Sequence, residues 1–367
     1  MNEKIRKIEP SSIKDVLDKT YTCDAINLAQ GDMLVAPFKK AMQEAIRYIS
    51  EEKNRYPPVD GLAELKRAIC EKSKIENSCE IEEDNVVITI GGQEAFFATM
   101  LTLASKDVYI FDPYYSYYPT VSSLFGKVNY INLKKEGKRL IFSEEEIKSL
   151  KDTVLVTANP MNPTGKAFTR DEAKFLGDVA EDNNLLIVSD EVYENYVYDR
   201  EHESLSKYAF DNVITVNSFS KRYGLTGWRV GYIKARKDII KECAKAHELA
   251  TMTVPTPFQY AIASVLNTPE EKSFLNNVRN LLEDNRNYIL NSFKDRDYLE
   301  PDGGYYMLVD VEENGIEFAK KALDNGVIVV PIPDFTLQKD FENFVRICYA
   351  REKNVVEEGI EKVMEIL

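Results

Sequence analysis

Short runs of β-branched and aromatic residues recur through the middle of the chain: NVVITI (85–90), DVYIF (107–111), VNYINL (128–133), TVLVT (153–157), NLLIVSD (184–190), NVITVNS (212–218) and VGYIK (230–234). Continuous apolar runs of this length suit strands covered on both faces, as in a largely parallel sheet. Helical patterns lie between them. QEAFFATMLTLA (93–104) follows a glycine pair, TRDEAKFLGDVAEDN (169–183) carries Thr169 and Glu172 at capping-box spacing, and KDIIKECAKAHELA (237–250) is amphipathic. The alternation predicts an α/β fold whose large domain covers residues 42–276 and holds a mostly parallel sheet.

Beyond it, EEKSFLNNVRNLLEDNRNYILNSF (270–293) reads as one long helix leading to a second unit. Extended stretches at GGYYMLVDV (303–311), GVIVVPI (326–332) and FVRICYA (344–350), with helices near 315–325 and 352–366, predict a smaller α+β domain. The run Glu144–Glu145–Glu146 suits the first turn of a solvated helix, where the helix dipole favours acids.

Composition then narrows the function. The 367 residues carry 47 Lys+Arg against 61 Asp+Glu, a net charge of −14, which argues against a nucleic-acid partner held by displaced counterions. The two histidines, His202 and His247, leave little for a histidine-centred triad, and HELAT (247–251) lacks the second histidine of a zinc helix, so no metal site is expected. Five scattered cysteines, Cys23, Cys70, Cys79, Cys243 and Cys348, fit reduced thiols in the cytoplasm. The N-terminal MNEKIRKIEPSS has no apolar core for a secretory signal, and no apolar run reaches the ~18–20 residues of a membrane span.

The most informative segment is SFSKRYGLTGWRVG (218–231), which follows a predicted strand. A lysine in a mostly apolar loop is a candidate for a lowered pKa and Schiff-base chemistry, and Ser218, Ser220 and Arg229 offer donors to one phosphate. The plainer alternative is a surface Lys221 beside a structural Arg229. ITIGGQEAFF (88–97) reads as strand, glycine turn and helix start, either an ordinary β–α turn or an anion site at the amides of Gly92 and Gln93.

This S-x-S-K spacing, with its glycines and the W-R-x-G ending, resembles the lysine segment of fold type I pyridoxal-phosphate enzymes, and of their class I/II, aspartate aminotransferase-like aminotransferases in particular. The resemblance runs from about residue 26 to about 363 through several motifs in order. It implies that Lys221 holds pyridoxal 5'-phosphate as an aldimine and later moves the Cα proton. It places the phosphate on Gly92, Gln93, Ser218, Ser220 and Arg229, and stacks Tyr115 of DPYYSYYPT (112–120) on the pyridine ring. Asn162 of NPMNPTG (159–165) and Tyr193 would bond the ring hydroxyl; Asp190, at the end of NLLIV, would face the ring nitrogen with its own pKa lowered. Arg346 of FVRICYA, with Gly31 and Asn162, would bind the substrate, and Tyr56 would reach the phosphate of a neighbouring subunit, making a homodimer with shared sites. The split small domain would then comprise residues 1–41 and 277–367.

The implied reaction is transfer of an amino group from an L-amino acid to a 2-oxo acid, 2-oxoglutarate foremost, by a ping-pong route. A lyase, decarboxylase or synthase on the same cofactor site is the alternative. A nicotinamide dehydrogenase is disfavoured because no G-x-G-x-x-G follows a predicted strand. Three positions depart from the family pattern: Met33 where a proline is usual, PIPDFTLQKDF (331–341) without its glycine loop, and Met161. The first two lie near the expected substrate side chain.

Overall fold

A computed structural model describes residues 3–6, 8, 24–104 and 106–367. Cys23 and most of residues 1–23 lie outside the described residues. The strands are β1 (Ile26–Asn27), β2 (Val86–Thr89), β3 (Val108–Asp112), β4 (Val128–Asn132), β5 (Lys134–Glu136), β6 (Arg139–Ile141), β7 (Val154–Ala158) and β8 (Leu186–Asp190). Then follow β9 (Val213–Ser218), β10 (Gly231–Lys234), β11 (Tyr298–Leu299), β12 (Tyr306–Asp310), β13 (Val327–Ile328), β14 (Val330–Pro331) and β15 (Phe344–Cys348).

Every apolar run of the middle region forms a strand of one seven-stranded sheet, in the order β2-β10-β9-β8-β7-β3-β4. The pairs from β9 through to β4 are parallel; β10 runs antiparallel to both neighbours. β2, β7 and β9 are buried along their whole length, as apolar runs without alternation require. Because β2 and the five parallel strands point the same way, the segments that follow β2, β3, β7, β8 and β9 all emerge at one edge of the sheet. That edge is where open α/β sheets place their ligands.

The helices expected between the strands form at Gly91–Thr102, Arg170–Asp182 and Lys237–Thr251. Thr169 and Glu172 make the reciprocal capping box that their spacing predicts. Helices over Lys39–Ser50 and Tyr117–Phe125 were not anticipated by the pattern.

The long helix spans Pro269–Ser292, started by Pro269 and by the Thr268 hydroxyl, which accepts the Glu271 amide. After it comes an antiparallel sheet in the order β11-β12-β15-β14, with β1 joining this part of the chain through a parallel pairing with β13. Tyr305, Met307, Ile347 and Val356 belong to an apolar cluster that also takes in Leu28, Met33 and Tyr193. No helix among the described residues is long and apolar enough to cross a membrane.

Candidate active site

Every site residue expected from the sequence, except Tyr56, lines one cavity of about 300 Å³. Lys221 sits on the short helix Phe219–Tyr223, which begins where β9 ends and stops at Gly224 in the left-handed conformation. Its Nζ donates to the Gly31 carbonyl at 2.6 Å. Burial pushes the ammonium below its usual range, against the opposing pull of Asp32 and Asp190. The Ser218 hydroxyl accepts the Ser220 amide at 3.1 Å and lies 2.9 Å from Ser220 Oγ, so both hydroxyls face one place. Arg229 is itself left-handed, with φ at 54°, and one Nη donates to the Thr226 carbonyl at 3.0 Å. A β-carbon on Gly91 would stand 2.6 Å from the other Nη, so glycine lets the helix start close on the guanidinium. The next two amides, of Gly92 and Gln93, belong to the first turn of Gly91–Thr102, where partial positive charge gathers.

Asp190 closes β8. Its Oδ2 accepts the Tyr118 hydroxyl at 2.7 Å and its Oδ1 the Val192 amide at 3.2 Å. The sequence reading placed its pKa low, beside a cationic ring. The chain's own groups do the reverse: burial pushes the carboxyl up to about 6, and the two hydrogen bonds only temper the rise. Tyr115 receives a bond from Gln93 Nε2 at 3.3 Å and meets Tyr118 edge-on. The Tyr193 hydroxyl lies 3.1 Å from that of Tyr306.

Arg346 projects from β15 and is buried. Nη1 donates to Asn162 Oδ1 and Nη2 to the Ala29 carbonyl, both at 2.8 Å, while Nε is buried without a partner. Its guanidinium carbon lies 4.3 Å from the Tyr306 ring centre and 5.1 Å from that of Phe335. Gly31 packs so tightly that a β-carbon would fall 2.0 Å from the Tyr306 hydroxyl. Tyr56, by contrast, is 80% exposed and outside the cavity.

Tyr118, Tyr306 and a layer of buried charge were not read from the sequence. Arg222 pairs with both Glu76 oxygens and with Glu271, and Lys72 pairs with Glu194 at 2.8 Å. Glu194 also accepts from Asn77 and Asn217. These contacts join the residue after Lys221, the residue after Tyr193 and the residue before Ser218. Met33 and Met161 are both buried, and the Tyr196 hydroxyl approaches Met33 Sδ at 3.9 Å. His247 is buried against Glu94, whose Oε2 also accepts the Ile90 amide before the helix start. Glu191, Glu194 and His202 come together, but hydroxyls, amides and Lys72 already occupy the two carboxylates.

Comparison with known proteins gives a consistent answer. The model of the family described as aminotransferase class I and II matches residues 24–363. A probable aspartate aminotransferase of Methanocaldococcus jannaschii is 32% identical over all of this chain and 99% of its own. An aspartate aminotransferase of Pyrococcus horikoshii is 30% identical over 100% and 96% of the two chains. Among solved structures, Thermus thermophilus aspartate aminotransferase with maleate superposes with a TM-score of 0.94 at 26% identity, covering 100% of this chain and 99% of that one.

Proposed function

This chain belongs to the class I and II aminotransferases and uses pyridoxal phosphate, and from that premise we propose that it passes the amino group of an L-amino acid to 2-oxoglutarate in a ping-pong cycle served by Lys221. The observation that carries the proposal is that one cavity is lined by an amine held below its usual pKa, a buried carboxyl and two guanidinium groups.

The lining fits the cofactor. A phosphate ester calls for several donors and positive charge, which Ser218, Ser220, Arg229 and the amides of Gly92 and Gln93 supply. The Asp190 carboxyl, expensive to ionise alone, suits a cationic ring nitrogen. Tyr115 offers a flat face, and Asn162, its carbonyl engaged by Arg346, would have Nδ2 free for a ring hydroxyl, alongside Tyr193. When bound, pyridoxal phosphate supplies an electron sink conjugated to the substrate nitrogen.

The chain's own residues do the rest. Lys221 Nζ, whose ammonium burial disfavours, is placed to take the proton from Cα of the amino acid and to return it. Asp190 would stabilise positive charge at the ring nitrogen, with Tyr118 fixing the carboxylate's orientation. Arg346 would grip the α-carboxylate with the Nη hydrogens that Asn162 and Ala29 leave free. Tyr306, against that guanidinium, holds its plane.

The division into a split small domain (1–41 and 277–367) and a large one (42–276) belongs to the same proposal, supported by the pairing of β1 with β13. So does a homodimer. Met42, Ile46 and Ile49 form an exposed apolar stripe on Lys39–Ser50, and exposed Tyr56 follows soon after in the chain. The unpaired thiols of Cys70, Cys79, Cys243 and Cys348 support a cytoplasmic location.

A panel of amino acids assayed with 2-oxoglutarate tests the proposal. Glutamate should form, with parallel double-reciprocal lines. Ammonia with pyruvate, or carbon dioxide, released from a single amino acid would support a lyase or decarboxylase instead. In the same assay Arg346→Lys should lower kcat/KM about 100-fold, because a point ammonium cannot reproduce the fork that meets carboxylate, Asn162 and Ala29 together. Cofactor affinity should change far less, because Ser218, Ser220 and Arg229 are untouched.

A further inference from the structure

The segment 331–341, which departs from the family pattern, is fastened in a way that bears on substrate binding. Asp112, at the end of β3, is fully buried. One carboxylate oxygen accepts the Thr336 hydroxyl, and the other accepts the Leu337 amide at 2.9 Å. Gln338 Nε2 donates to the Asp112 carbonyl at 2.7 Å, and the Tyr114 amide donates to the Phe335 carbonyl at 2.8 Å. Four bonds thus tie residues 112–114 to residues 335–338, more than 200 positions away. On one side of the tie the chain runs directly into Tyr115, which lines the cavity. On the other, Phe335 is fully buried and lies against the Arg346 guanidinium.

The donors to this carboxylate, a hydroxyl and a backbone amide, are neutral. Such a group gains little net stability for its burial, so its effect lies in where it holds the chain. We propose that Asp112 is a positioning residue: through Thr336 and Leu337 it latches the 333–338 loop to the end of β3, and so holds Phe335 against Arg346, the residue that grips the substrate carboxylate. This rests on the function proposed above.

The test compares Asp112→Ala, Asp112→Asn and Thr336→Val in the pyridoxal-phosphate-loaded enzyme. An asparagine can still accept the Leu337 amide and donate to Thr336 Oγ1, so it should keep the latch. Asp112→Ala should raise KM for amino acid and oxo acid about tenfold, leaving kcat within about threefold and cofactor affinity within about twofold. Asp112→Asn should recover KM to within about threefold, and Thr336→Val should fall between. Unchanged KM in a folded Asp112→Ala, equal losses of cofactor and substrate affinity, or an asparagine variant as poor as alanine would each overturn the proposal. If Asp112→Ala does not fold, Thr336→Val carries the test by the same KM split and by amide exchange that quickens in 113–118 and 333–346 together. Should the unaltered enzyme transfer no amino group, the function fails; the latch then stands or falls on that joint exchange, and unchanged protection rejects it.

Discussion

Lys221→Ala is expected to lower turnover by at least ~10⁴-fold while the protein stays folded and still binds pyridoxal phosphate. Among the described residues Lys221 is the only lysine lining the cavity, so no other side-chain amine can take the Cα proton there. Removing it should cost little stability. Its ammonium is disfavoured by burial, and the Gly31 carbonyl it leaves keeps the Tyr305 hydroxyl at 3.0 Å. Cofactor affinity should survive because Ser218, Ser220, Arg229 and the helix start are untouched. Borohydride, which fixes the cofactor to a lysine amine, should add its mass to the unaltered protein and not to the variant. A variant that retains near-normal transamination would remove Lys221 from the chemistry.

Asp190→Asn should lower kcat by about 10²–10³-fold, since a neutral amide of the same shape cannot sustain positive charge on the ring nitrogen. A second effect has the opposite sign. In cofactor-free protein the Asp190 carboxyl is raised from 3.8 to about 6, so the folded state binds this proton more tightly than the unfolded state. Stability must then fall as pH rises from ~4 to ~6 and stay lower above, by about 3 kcal/mol from this group. The cofactor-free asparagine variant should therefore melt a few degrees above the unaltered cofactor-free protein at pH ~7.5, with the gap closing near pH ~4. Adding pyridoxal phosphate should reverse the order. Melting curves at the two pH values, with and without cofactor, read all four cases; an unchanged order would show that Asp190 does not meet a cation.

The parts of this site legible in the sequence are those whose chemistry is contiguous. Ser218, Ser220, Lys221 and Arg229 share one segment, and the strands announce themselves as apolar runs because both their faces are covered. Direction is not written in such runs, so the antiparallel β10 emerged only in the fold. The helix Tyr117–Phe125 was hidden because Pro119 falls within it and its sequence, YYPTVSSLF, has the β-branched and aromatic content of a strand or turn. Tyr118 and Tyr306 resemble ordinary core aromatics until their partners, Asp190 and Tyr193, arrive from distant segments. Buried ions were the least legible. Glu194, Arg222 and Glu271 carry charges that composition assigns to the surface, and only the i,i+4 spacing of Lys72 and Glu76 hinted at pairing. The Asp112 latch joins residues 224 apart, which no local pattern can signal.

The most direct test of amino-group transfer needs no second substrate. One equivalent of a donor amino acid is added to the loaded enzyme without oxo acid, the protein is denatured, and the released cofactor is separated by chromatography. Near-stoichiometric pyridoxamine phosphate and 2-oxo acid is the expected result. Cofactor recovered wholly as pyridoxal phosphate while an amino acid that turns over is consumed would contradict it.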